Sequence, residues 1–248
     1  MLESPGTRME WQEPAAILEV SPYGEGDALV SLLAADHGLW RGLVKGGTAR
    51  GKTAIWQAGN LINARWTARQ PENLGQFTGE LAYPVAALAL ENRLSLAILA
   101  AACALAAAAL PEREPHPTVF VGLARLLAAL GVEGLALPAF IRWELDLLRE
   151  LGFGIDFASS AGDNDRPEFV SPSNGRAIPL SAIGERPGSL LKLPPFLVAE
   201  AEAGRADCLA GLELTGHFLA QDVFGARHRP LPPARRRLYE LVRTRLED

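Results

Sequence analysis

The chain has 248 residues, 48% apolar and 21% charged, with a formal net charge of −5. That length holds one large domain or two small ones, and the apolar content can fill a sizeable core. A globally basic nucleic-acid protein is excluded, whereas a locally basic face is not. Two distant cysteines, Cys103 and Cys208, exclude a disulfide framework or a Cys-rich zinc site, and suit a reducing, cytoplasmic setting. The polar stretch Met1–Gln12 has no apolar signal region. Leu94–Leu110 is uncharged but Ala-rich and shorter than the roughly 20 residues of a membrane span, so a soluble helix is expected.

Residues 15–81 follow a strand period. Ala15–Val20 leads into the turn formers Ser21–Asp27, and Ala28–Ala34 is a second apolar run. Asp36-His37-Gly38 forms a tight turn into Leu39–Lys45. Leu61–Arg69 alternates, with Ile62, Ala64, Trp66 and Ala68 on one face and Asn63, Arg65, Thr67 and Arg69 on the other. Phe77–Leu81 can close the sheet. Short strands without an intervening long helix predict a small barrel.

From Pro84 the period becomes helical: Pro84–Leu110 as one long helix, broken by Pro111–Pro117, then Thr118–Leu130 and Pro138–Leu151. Ser173-Asn174-Gly175-Arg176 marks a hairpin within 169–178. An apolar stripe through Cys208, Leu212 and Phe218 and a last helix over Pro233–Leu246 complete the chain. The expected organisation is α+β: a β-barrel domain over residues 1–83 and a mostly helical domain with a short hairpin over 84–248.

Gly46-Gly47-Thr48-Ala49-Arg50-Gly51-Lys52-Thr53 satisfies G-x-x-x-x-G-K-[ST], the phosphate loop of nucleotide hydrolases. On that reading Lys52 holds phosphates and Thr53 holds magnesium. Such a loop needs a helix directly after it, yet Ala54–Ala58 is interrupted by Gly59-Asn60 and a new strand begins at Leu61. The second reading uses charge. Between His37 and Pro71 stand Arg41, Lys45, Arg50, Lys52, Arg65 and Arg69 and no acid. Such an unopposed cationic face, with a flexible Gly-rich loop, suits a phosphate backbone, or else is merely a solvated face. Trp40 and Trp66 fall on apolar faces, which leaves Trp56 as the candidate for base stacking. A second basic cluster comprises Arg227, Arg229, Arg235, Arg236 and Arg237, with Arg243 and Arg245 following. It either extends a DNA path, binds an acidic partner, or is a solvated helix paired through Glu240.

The chain resembles the RecO family of bacterial recombinational repair mediators. The matching residues are Pro22-Tyr23-Gly24-Glu25-Gly26-Asp27, Asp36-His37-Gly38, Lys45-Gly46-Gly47, the helix Trp143–Leu151 ending in Gly152-Phe153-Gly154, and Phe169-Val170-Ser171-Pro172 with Gly175-Arg176. The resemblance runs from about Trp11 to about Leu246, so Met1–Arg8 reads as an extension. It implies an N-terminal OB-fold, a helical second domain and no ATP hydrolysis. It also implies binding of single- and double-stranded DNA, strand annealing in the RecF pathway of DNA damage repair, and cooperation with RecR. Contact with the C-terminal tail of the single-stranded-DNA-binding protein, so that RecA is loaded, follows from it too, as does a cytoplasmic protein that joins the nucleoid when active. Some relatives carry a four-Cys zinc site near the hairpin. Here Ala158-Ser159-Ser160-Ala161 stands at the first position and Cys208 is alone, so no metal and no cofactor are expected. The four scattered histidines, His37, His116, His217 and His228, are expected in structural or surface roles. A protein-interaction adaptor that binds no DNA is the remaining reading.

Overall fold

The computed structural model describes residues 9–70, 72–132, 134–157, 167–180 and 190–247, with side chains through Thr244. Met1–Arg8, Ala158–Ala161 and the side chain of Arg245 therefore lie outside the described residues. The chain forms two compact units, Met1–Ala128 and Ala129–Asp248.

In the first unit, five strands form a closed barrel in the order β1-β2-β3-β5-β4: β1 (Met9–Tyr23), β2 (Asp27–Ala34), β3 (Gly38–Val44), β4 (Leu61–Ala68) and β5 (Gln76–Tyr83). This closure is the small barrel that the strand pattern predicts, and the OB-fold that the family resemblance implies. β1 is longer than expected, because its first half pairs with β4 and its second half with β2, and a bulge between Ile17 and Glu19 bends it from one partner to the other. The alternating residues Ile62, Ala64, Trp66 and Ala68 point into the core with Val30, Leu32, Trp40, Val44 and Phe77. Gly75 adopts a positive φ of 68° with Trp66 beside it, and a Cβ there would stand 2.3 Å from the indole nitrogen.

The single helix expected over Pro84–Leu110 is two: α1 (Val85–Ala89) and α2 (Arg93–Ala109). Asn92 accounts for the break. Its side chain accepts from the amides of Leu94 (2.8 Å) and Ser95 (3.3 Å), starting a new helix where the apolar pattern alone runs on. The strand-to-helix change falls at Pro84 as expected, but the compact unit continues past it. Cys103 Sγ approaches the Ile17 carbonyl at 3.8 Å and Gly59 lies against Leu99, which seats α2 on the barrel. Between α2 and α3 (Pro117–Ala129), the segment 111–115 runs along the edge of β3. Leu39 bridges Glu112, and the Arg113 amide donates to the Leu39 carbonyl at 2.8 Å. Gly38 is required there, since a Cβ would fall 1.8 Å from the Glu114 carbonyl oxygen.

The second unit holds α4 (Ala136–Glu150), a three-stranded sheet of β6 (Pro167–Val170), β7 (Ala177–Pro179) and β8 (Leu191–Lys192), then α5 (Arg205–Phe218) and α6 (Pro233–Glu247). The Asn-Gly hairpin joins β6 to β7, and β8 adds a strand the sequence pattern does not reveal. A buried ion pair links the three helices. Arg235 of α6, 2% exposed, donates from Nε to Glu144 Oε1 of α4 at 2.5 Å and from Nη2 to Oε2 at 3.0 Å. Thr215 of α5 donates to the same carboxylate at 2.5 Å, and Arg235 Nη2 also donates to the Leu212 carbonyl at 2.8 Å. Two buried charges are tolerable only with such complete pairing. Removing one partner by Arg235→Ala is expected to cost about 3–5 kcal/mol of stability. Arg243→Ala, which breaks an exposed pair with Glu240, should cost less than about 1 kcal/mol. Chemical denaturation of the two variants checks this.

Candidate nucleic-acid interface

Barrel closure gathers the cations of two non-adjacent strands. β5 lies between β3 and β4, parallel to the first and antiparallel to the second, and Gln76 is the residue aligned with both Leu43 and Thr67. Side chains two residues away on a strand share a face. Arg41 and Lys45 therefore flank Leu43, and Arg65 and Arg69 flank Thr67, on the outer face around Gln76. Strand spacing separates β3 from β4 by about 10 Å across β5, and four residues along a strand span about 13 Å. All four cations are exposed. Lys45 and Arg69 line one open groove of about 500 Å³ with Leu43, Thr67, Asn73 and Gln76.

The acid-free stretch is not acid-free in space. Glu10, from the start of β1, reaches Arg65 Nη2 at 2.5 Å, and Glu112, from the segment along β3, reaches Arg41 Nε at 3.1 Å. This corrects the expectation of an unopposed cationic face: β1 pairs with β4, and the α2–α3 connection packs on β3. Lys45, Arg50, Lys52 and Arg69 have no carboxylate within 4.0 Å among the described residues.

The Gly46–Thr53 string does not form a phosphate cradle. Six of its eight amides are engaged: Gly46 donates to Asp27 Oδ1 (2.8 Å), Gly47 to the Val44 carbonyl, Thr48 to the Gly26 carbonyl, Ala49 to the Gly46 carbonyl, and both Lys52 and Thr53 to the Ala49 carbonyl. Lys52 Nζ turns back onto the Lys45 carbonyl at 2.6 Å, and Thr53 Oγ1 onto the Arg50 carbonyl at 3.2 Å. The loop closes through turns into β4 with no helix to aim at a phosphate. The nucleotide-hydrolase reading lacks its geometry, and the loop is pinned where the sequence predicts flexibility. Arg50 and Lys52 remain exposed on its outer side.

Asn60 organises the loop's end, a role the sequence reading missed. It is buried, donates to the carbonyls of Ala54 and Ile55, each at 3.0 Å, and accepts from the Ala86 amide at 3.0 Å. Trp56 is a second correction. It is 5% exposed and packs into the barrel core beneath the loop, so it presents no face to a base. In the second basic cluster, Arg235 is withdrawn into its pair with Glu144, leaving Arg227, Arg229, Arg236 and Arg237 exposed.

Burial raises the Cys103 thiol to about 12 with a smaller contribution from Glu19, and burial followed by Asp207 raises Cys208 to about 11. Neither thiol is a nucleophile near neutral pH. Among the described residues no three His, Cys, Asp or Glu side chains gather as metal ligands, and no helix is long and apolar enough to cross a membrane. Of the histidines, His37 pairs with Glu13 at 3.0 Å in the β2–β3 turn, and His217 donates to the Pro172 carbonyl at 3.1 Å.

Two family models match: recombination protein O N terminal over residues 9–85, and recombination protein O C terminal over residues 90–231. The chain belongs to the RecO family. It is 54% identical to the DNA repair protein RecO of Acidiphilium cryptum, over 96% of this chain and 97% of that one. It is 48% identical to that of Gluconacetobacter diazotrophicus (94% and 95%) and 41% identical to that of Cereibacter sphaeroides strain ATCC 17029 (94% and 98%). The two models meet between residues 85 and 90, across α1, just after the barrel ends. In this RecO-family chain the first model covers the OB barrel, and the second begins just before α2, inside the first compact unit, and runs into α5 and beyond.

Trp56 should behave as a core residue. Trp56→Ala is expected to lose about 3–5 kcal/mol of stability, while Trp56→Phe should fold and leave DNA affinity unchanged. Denaturation curves and DNA titrations of the two variants check this. A Trp56→Phe protein that folds normally and no longer binds would reinstate the stacking role.

Proposed function

We propose that this protein is a DNA-binding repair mediator that works without covalent chemistry. The barrel, within residues 1–83, binds single- and double-stranded DNA. The chain works with partner proteins, RecR and the C-terminal tail of the single-stranded-DNA-binding protein. Together they anneal complementary strands and help load recombinase onto protein-coated single strands in the cytoplasm, at the nucleoid when active. Family membership supports this reading. The observation that carries it on this chain is the cationic face around Gln76, with Arg50 and Lys52 exposed on the pinned loop that follows Lys45.

The physical step is screening. Two DNA strands repel through their phosphates, and base pairing cannot begin until they approach. Cations on a rigid barrel replace the condensed counterions of both strands, and release of those ions drives binding. Lys45, Arg50, Lys52 and Arg69, with no carboxylate within 4.0 Å among the described residues, are the first contacts. Arg41 and Arg65 complete the face, and Arg227, Arg229, Arg236 and Arg237 offer a second basic surface for DNA or an acidic tail.

The test is a DNA titration at two salt concentrations, with and without ATP, alongside an annealing assay. Binding should weaken with salt and ignore ATP. Arg50→Ala/Lys52→Ala should weaken binding evenly across sequences, slow annealing, and lower the salt slope by about one per lost contact. Unchanged binding and annealing in that variant would refute the loop's role. No DNA binding by the wild type at low salt would point to the adaptor reading instead.

A further inference from the structure

Two of the four arginines and lysines around Gln76 are already occupied. Arg41 Nε sits 3.1 Å from Glu112 Oε1 and Arg65 Nη2 sits 2.5 Å from Glu10 Oε2, and each partner is about half exposed (47% and 47%; 50% and 50%). The two occupied cations stand at diagonally opposite corners, because β3 and β4 run in opposite directions on either side of β5. Each end of the face thus offers one open cation, Lys45 or Arg69, and one closed cation.

Neither carboxylate belongs to the basic stretch. Glu10 is delivered by β1, whose residue pairs with β4 place it diagonal to Arg65. Glu112 is delivered by a segment fixed to β3 through the Leu39–Glu112 bridge and the Arg113 amide. Both are thus held by backbone pairing and need no ordering of a loop. A carboxylate and a phosphate diester present the same chemistry to a guanidinium: an anionic pair of oxygens accepting from N–H donors.

We propose that Glu10 and Glu112 are internal phosphate surrogates that compete with DNA for Arg65 and Arg41 and so set the affinity of the barrel face. This rests on the DNA-binding reading above. Lys45 and Arg69 capture a strand first. Its neighbouring phosphates then displace the two carboxylates, whose exposed pairs are weak enough to exchange. The displaced carboxylates take up cations from solution, which offsets part of the counterion release. The device keeps binding reversible, as suits a protein that must bring strands together and then leave them paired.

The experiment is a fluorescence-anisotropy titration of the full-length chain with a labelled oligothymidylate over a range of salt. Glu10→Gln and Glu112→Gln keep the shape of each side chain and remove its charge. Each is expected to tighten binding roughly two- to five-fold and to steepen the salt slope by about 0.7. A double-mutant cycle decides between displacement and a general field. In an Arg41→Ala background, Glu112→Gln should gain nothing, and likewise Glu10→Gln in Arg65→Ala. Unchanged affinity and slope in both single variants, with wild-type DNA binding intact, would overturn the proposal and leave the functional reading standing. A gain that persists without the arginine would also overturn it. Thermal melts of each variant establish that all are folded. A wild-type chain that does not bind the oligonucleotide removes both readings together.

Discussion

One parallel register, Leu43 beside Gln76, closes the barrel, and the cationic face exists because of it. Without β5 between them, β3 and β4 would carry their cations on separate edges. With it, Arg41, Lys45, Arg65 and Arg69 surround one residue. The arrangement costs the fold little. Two unit charges about 10 Å apart repel by roughly 0.4 kcal/mol in water, less once salt screens them. A barrel can therefore hold such a face stably and leave it ready for an anion.

The same closure explains why the glycine-rich string has the letters of a nucleotide loop without its geometry. A phosphate cradle needs several unpaired amides converging on one point. Here the amides of Gly46 and Thr48 are spent on Asp27 and Gly26 at the start of β2, that of Gly47 on Val44 at the end of β3, and those of Ala49, Lys52 and Thr53 on the loop itself. Buried Asn60 ties the end of the loop to α1. What the loop keeps for solvent is side-chain charge, on the exposed Arg50 and Lys52, which under the proposed function would meet a phosphate backbone by field and not by cradle.

Much of the barrel was legible because the alternation of Leu61–Ala68 and the Asp36-His37-Gly38 turn leave few ways to pair the strands. The outward position of Arg41 and Arg65 follows from the same parity. Their partners were not legible, since Glu112 lies far along the chain from Arg41 and β1 begins earlier than its apolar core suggests. Trp56 sits in a loop with no period, so burial could not be read from spacing. Arg235 is different: it shares a helical face with the buried Leu238 and Val242, three and seven residues on, and Glu144 shares one with the buried Phe140 and Leu148. Two charges on two apolar faces were a signal of mutual pairing. Asn92 was readable as a cap, but the Ala-rich run around it masked the break.

On the proposed function, DNA lies on the β3–β5–β4 face around Gln76. The most direct measurement is the dependence of single-stranded DNA affinity on salt for Lys45→Ala/Arg69→Ala beside the wild type. If the groove between these residues carries the strand, the slope of log affinity against log salt falls by about 1.4, two contacts at about 0.7 each. A slope equal to the wild type's, in a variant that melts like the wild type, would place the DNA elsewhere on the molecule.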